Sequence, residues 1–263
     1  MNKIQSLVMV GAIATMAVSS ANASSTNLIK NGSFENVNPQ FSDPGAFSYI
    51  PLFPDNEVIA PDQLISNWTV TDSDAPSTIP AGIDWIQTYW LAQDGVRSVD
   101  MSGTSGPGAI SQAFKTWPGH VYTVSFYMSG NPDGAPSIKT MAVSTAGVDT
   151  AGVETAGTTQ NFTYDTAVEQ NTSGINGDMK WGEHPRSFSF TAINWSTKLT
   201  FTSQDAGYFG AALDNVSAVQ LPPTDKHQCF KSGWRAYTDP AFKNQGQCVK
   251  YVVHLGKAPH GNN

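Results

Sequence analysis

At 263 residues with a formal charge of −7, the chain is long enough for one large domain, or one domain with a small appendage. A net acidic chain with no basic stripe argues against nucleic acid as a partner and against adhesion to anionic lipid. Charged residues make up only 13%, too few for long amphipathic helices, whereas abundant Ser, Thr, Asn and Gly with 11% aromatics favour twisted antiparallel sheets.

The chain opens on MNKIQSLVMVGAIATMAVSSANA. Lys3, an apolar run over 7–18 and the small-x-small end Ala21-Asn22-Ala23 read as a signal peptide covering residues 1–23. The apolar run is shorter than the ~20 residues a bilayer span needs. Export to a secreted, extracellular or periplasmic location is expected, with no membrane insertion after signal removal.

NLIKNGSFE (27–35) reads as a strand entering an Asn-Gly turn, and residues 38–66, rich in Pro, Asp and Phe, as a long loop. Residues 68–71 form a short strand. The stretch from Gly82 to Phe114 then holds three strand-like runs, 83–90, 96–101 and 109–114, separated by Gly- or Pro-containing turns. Period-2 alternation along the first run puts Ile83, Trp85, Gln87 and Tyr89 on one face and Asp84, Ile86, Thr88 and Trp90 on the other. Aromatics on both faces suit a strand buried on one side and offering a binding platform on the other, unless both faces are covered.

Over 120–130 the alternation is cleanest, with Tyr122, Val124, Phe126 and Met128 pointing one way. A strand at 139–144 leads into TAGVDTAGVETAG (145–157), a five-residue quasi-repeat that reads as an extended hairpin or an insertion. Two further strands carry Phe188, Phe190 and Ala192, then Leu199 and Phe201, and 211–221 is the last. About nine or ten strands without an amphipathic helix make an all-β, two-sheet sandwich over residues 24–221.

Pro222-Pro223 breaks the chain ahead of a tail, 222–263, that holds the only two cysteines, Cys229 and Cys248. In an exported protein two lone cysteines are expected to pair, the alternative being two free thiols. Closing a loop of about twenty residues contributes roughly 3 kcal/mol in the chain-entropy model. Trp234, Tyr237 and Phe242 are expected to form the tail's own small core rather than a second adhesive surface.

NLIKNGSFE, IDWIQTYW, DGVRSVDMSG, GAISQAF, PGHVYTVSFYMSGNP, FSFTA, LTFTS and ALDNVSAV occur here in one order. That order resembles the domain-of-unknown-function 642 family and the related bacterial choice-of-anchor C proteins. The resemblance covers roughly residues 27–221, with the 145–157 repeat standing out as an insertion. It implies a galactose-binding-like jelly roll similar to carbohydrate-binding modules, and association with cell-wall polysaccharide. It also implies a structural Ca²⁺ where the terminal strands meet, with Glu35 and Asp214 as carboxylate ligands completed by backbone carbonyls. The alternative for this pair is that Glu35 caps a turn and Asp214 accepts backbone N–H bonds.

Enzymatic chemistry finds little support. The histidines at 120, 184, 227, 254 and 260 lack zinc spacing, no GxSxG elbow occurs, and Asp84, Asp94 and Asp100 sit beside Gly-rich turns where Asp is ordinary. Sugar binding would use flat aromatics flanked by groups for the hydroxyls. Trp85 and Tyr89, with Asp84, Gln87, Arg97 and Asp100 nearby, are the candidates, the competing reading being that Trp85 and Trp90 are core. The expectation is an exported, non-catalytic protein that binds a polysaccharide or glycan, against a structural or adhesive surface protein with a protein partner.

Overall fold

A computed structural model describes residues 26–53, 63–72, 81–104 and 106–255. The signal segment 1–23 lies outside them. The described residues form twelve strands: β1 (Tyr49–Leu52), β2 (Thr69–Asp72), β3 (Ile83–Ile86), β4 (Ser98–Asp100), β5 (Ser102–Gly103), β6 (Gly106–Lys115), β7 (Val121–Gly130), β8 (Ile138–Val148), β9 (Glu154–Asp165), β10 (Arg186–Thr191), β11 (Ser196–Ser203) and β12 (Ala211–Gln220). One sheet runs β1-β3-β4-β12-β7-β10 and the other β2-β6-β11-β8-β9, with β5 beside β6; every strand pairing is antiparallel. This is the expected two-sheet sandwich.

Alternation explains the layering. Along β7, Tyr122, Val124, Phe126 and Met128 are buried while the residues between them are partly exposed. They meet Phe188 and Phe190 of β10, Leu199 and Phe201 of β11 and Met141 and Val143 of β8 in one core between the sheets. T-shaped contacts of Phe126 with Phe162 and Phe201, centroids 5.0 and 5.2 Å apart, fit the ring quadrupole preference.

Several elements differ from the expectation. The 27–35 segment is not a strand: Asn31 and Phe34 take positive φ, and the turn between them lies against β12. A Cβ on Gly32 would sit 2.0 Å from the Val216 carbonyl oxygen, so this turn requires glycine. Gly32 and Val216 are joined by an N–H···O bond of 2.9 Å, and Asn31 ties the turn to Asn36 and Ser66. The 38–66 loop contains a strand, β1, which adds to the edge beyond β3. Residues 145–157 resolve into the hairpin reading, shared between β8 and β9.

The tail folds into two 3-10 turns and a helix, α1 (Gln245–Leu255), that the sequence reading missed. Cys229 and Cys248 are bonded and lie with Tyr237 at the centre of a separate small core, with Trp234 and Phe242 packed against it. No helix among the described residues is long and apolar enough to cross a membrane.

Candidate functional site

Both faces of β3 are covered, and they are covered differently. Trp85 points between the sheets and is fully buried. Its Nε1 donates to the Phe34 carbonyl at 3.1 Å, its ring lies 5.1 Å from that of Phe47, and the Arg97 guanidinium sits 4.5 Å above it. It is a core residue, which corrects its assignment as an outward platform. The error lies in the strand's length: β3 stops at Ile86 and the chain bends, so Tyr89 does not share the face of Trp85.

Arg97 and Gln87 are also structural. Arg97 is buried, donates to the Glu35 carbonyl and reaches Asp43 at 3.3 Å, where a stacked, water-poor guanidinium still keeps charged partners. Gln87 accepts the Phe47 N–H through Oε1 at 2.7 Å and holds the segment ahead of β1.

The other three candidates, Asp84, Tyr89 and Asp100, meet in one cleft of about 470 Å³ on the outer face of the β1-β3-β4-β12 sheet. Asp84 of β3 and Asp100 of β4 are directly opposed partners in the ladder, so both side chains emerge on that face. Tyr49, Tyr89 and Tyr208 provide rings, Tyr49 and Tyr208 being half exposed. Asn131, Asp133 and Thr104 add polar groups. Trp90 is the cleft's buried backing: it packs with Ile86, Met179 and Ala212, and its Nε1 donates to Ser98 Oγ at 2.8 Å.

Sequence reasoning missed Tyr49, Asn131, Asp133 and Tyr208. They arrive from loops and an edge strand distant in the chain, and only the sheet order brings them beside β3. The one local signal was the Asn131-Pro132-Asp133-Gly134 turn that closes β7.

The carboxyl groups are fixed acceptors. Asp100 takes N–H bonds from Ser102 and Gly210 on Oδ1 and from the Asn131 amide on Oδ2. Asp84 accepts from the Thr104 N–H and hydroxyl. Burial pushes the Asp84 carboxyl up to about 6, with Thr104 partly opposing it. Burial pushes Asp100 up to about 8, its donors opposing and the Asp84 charge adding to the rise. Tyr89 donates to Asp133 at 2.6 Å, and that bond, more than burial, raises the phenol.

Glu35 and Asp214 converge on the 93–97 loop from opposite ends of the sandwich sequence. Glu35 Oε1 accepts the Val96 and Arg97 N–H groups; Asp214 Oδ2 accepts those of Gln93 and Asp94, and Oδ1 that of Asn215. Gly95 suits its left-handed φ of 72°, and a Cβ there would lie 2.5 Å from the Glu35 carboxyl carbon. Calcium takes six to eight oxygen ligands. Here N–H groups present positive hydrogens at the oxygens a cation would use, and no group of three or more His, Cys, Asp and Glu side chains converges among the described residues. Glu35 Oε1 and both Asp214 oxygens accept backbone N–H groups, which fits the alternative role expected for the pair.

Residues 27–220 match the family described as "Protein of unknown function (DUF642)". Over 212 residues the chain is 30% identical to Halomucin of Haloquadratum walsbyi, covering 77% of this chain and 2% of that protein. The chain thus spans a small fraction of the curated relative it matches. Among solved structures, the enzymatically active domain of bacteriophage CBA120 tailspike protein 4 is 14% identical, with a TM-score of 0.41 over 74% of this chain and 21% of that one. TmCBM61 in complex with β-1,4-galactotriose gives 13% and 0.34, over 75% of this chain and 100% of that one. The CBM22-1 xylan-binding domain of Paenibacillus barcinonensis Xyn10C gives 16% and 0.35, over 58% and 92%. At such scores none of the three carries an inference about ligand or chemistry.

Proposed function

The chain belongs to the DUF642 family, and we propose that it is an exported, non-catalytic module that binds a polysaccharide or glycan in the cleft between Tyr49, Tyr89 and Tyr208. The observation that carries this reading is the cleft itself: half-exposed flat rings standing around hydrogen-bonding groups of β3, β4 and the 131–133 turn. Rings of this kind stack on the apolar face of a pyranose, while fixed polar groups take its hydroxyls. Among the described residues no Lys, Arg or His lines the cleft, so a neutral sugar suits it better than an acidic one.

The opposed Asp84 and Asp100 are the feature a hydrolytic reading would use. Their surroundings favour binding instead. Asp100 is 1% exposed and committed to three donors, and Asp84 is held by Thr104. Both carboxyls are thus held by groups of the protein itself, which favours a fixed binding floor over proton exchange with a substrate.

The test is depletion of the mature chain from solution by insoluble polysaccharides, with reducing ends measured in parallel. Retention on at least one neutral glycan, lost in Tyr89→Ala without loss of fold, is expected. No retention on any glycan with firm retention on a protein partner would favour an adhesive scaffold, and release of reducing ends would make the chain an enzyme.

A further inference from the structure

The net negative charge hides an uneven split. Residues 24–221 carry seven basic and nineteen acidic side chains, net −12, whereas residues 225–255 carry five basic and two acidic ones, net +3. Lys226, Lys231, Arg235, Lys243 and Lys250 are all exposed. None of them takes part in an ion pair among the described residues.

Where this basic tail meets the sandwich there is a second recess, of about 560 Å³. Trp117, from the β6–β7 turn, and Trp195, from the β10–β11 turn, form one wall, edge to face with centroids 4.4 Å apart. Trp195 is 59% exposed, so much of a large flat ring stays in water. The tail supplies Phe230, His227 and Lys231. Asp225, which also lines the recess, is bonded to His227 at 2.7 Å, and Lys231 forms no ion pair among the described residues.

The walls are fixed against each other. His120 stacks on Tyr237 at 4.6 Å, and the Gln228 side chain donates to the Gly119 carbonyl at 3.2 Å. Lys231 and Ser232 both take positive φ, 48° and 68°, an unfavourable backbone for side chains of their kind, and it sets Lys231 at the recess.

We propose that this recess binds a saccharide carrying an anionic group, a carboxylate or a sulfate, with the sugar ring on Trp195 and the anion at Lys231. A flat exposed ring beside an unpaired ammonium matches both halves of such a ligand. Charge acts over about 8 Å at physiological salt, so the acidity of the sandwich does not cancel Lys231 at contact distance. The acidic cleft and this recess thus take sugars of different charge. The proposal does not rest on the reading of the cleft.

The mature chain is titrated calorimetrically with a soluble polyuronate, a soluble sulfated glycan and a neutral glucan, at low and raised salt. Binding of at least one of the two polyanions is expected, and which one binds identifies the anion. Trp195→Ala and Lys231→Glu should each weaken it by about 10-fold or more, with far-UV circular dichroism unchanged, and Tyr89→Ala should leave it as it was. Equal binding of the neutral glucan through Trp195 overturns the anionic ligand. Binding that falls with salt but ignores Trp195→Ala reduces the site to unspecific attraction by a basic tail, and overturns the recess. Binding of neither polyanion, with Tyr89-dependent retention on neutral glycan intact, rejects the recess and leaves the cleft standing.

Discussion

On the inner face of β3, Trp85 is closed in by Phe47, Arg97 and the Phe34 carbonyl. One residue away on the outer face, Asp84 stands opposite Asp100 on the floor of a cleft. Both residues are buried, at 0% and 8% exposure, yet they answer to different demands. Trp85 fills space and its single polar atom is satisfied. The acids carry an unmet cost, since burial raises both carboxyls. Burial therefore does not separate core from site on this strand. What separates them is whether the buried group would be better off with something more beside it.

Substitution breaks or sharpens that contrast, and the largest effect belongs to the inner face. Trp85→Ala should cost about 3–5 kcal/mol in urea denaturation, as removal of a large ring from a packed core does. A cost near zero would return Trp85 to the surface and undo the contrast. Tyr89→Ala should act the other way round, lowering glycan retention by about 10-fold, roughly 1.4 kcal/mol, with little change in the urea midpoint. A collapsed fold would make Tyr89 core.

Smaller, and diagnostic of the outer face, is the response to pH. Asp84, Asp214 and Asp100 have folded values of about 6, 7 and 8 against an ordinary 3.8. A carboxyl raised on folding holds its proton more tightly in the folded state. That stabilisation is complete below the ordinary value and is lost as pH rises through the folded one. Tm should fall by on the order of several degrees between pH 4 and pH 8. The exposed Asp43, Asp178 and Asp225, held low by hydrogen bonds from Gly45, Lys180 and His227, work in the opposite sense but only below about pH 4. A Tm that climbs across the window would mean that the opposed acids are ionised and compensated. Smallest of all is the expected effect of chelator: because Glu35 and Asp214 already hold the 93–97 loop through N–H bonds, Tm should not move. A drop restored by added Ca²⁺ would make the pair an ion site.

The sandwich was legible where alternation is long. Tyr122, Val124, Phe126 and Met128 announce β7 because one side of it faces a core and the other does not. The same rule failed at 83–90, since period-2 counting assumes an unbroken strand, and the bend after Ile86 resets which face each residue occupies. Asp84 and Asp100 could be named but not paired, because ladder register is a long-range fact. Tyr49 and Tyr208 carried no signal, lying in stretches that read as loop. The tail's helix escaped because Val249 and Val252 are too few apolar positions to set a period against a neighbouring disulfide core.

The Leu28 N–H bonds to the Ala218 carbonyl, and the Ala218 N–H to the Asn27 side chain. Entry to and exit from the sandwich are therefore neighbours. Were such a unit carried on a longer polymer, traction along that polymer would pass beside it instead of through it. If the two ends are themselves pulled apart, the bonds at 27–32 and 216–218 meet the force one after another, as teeth of a zip do.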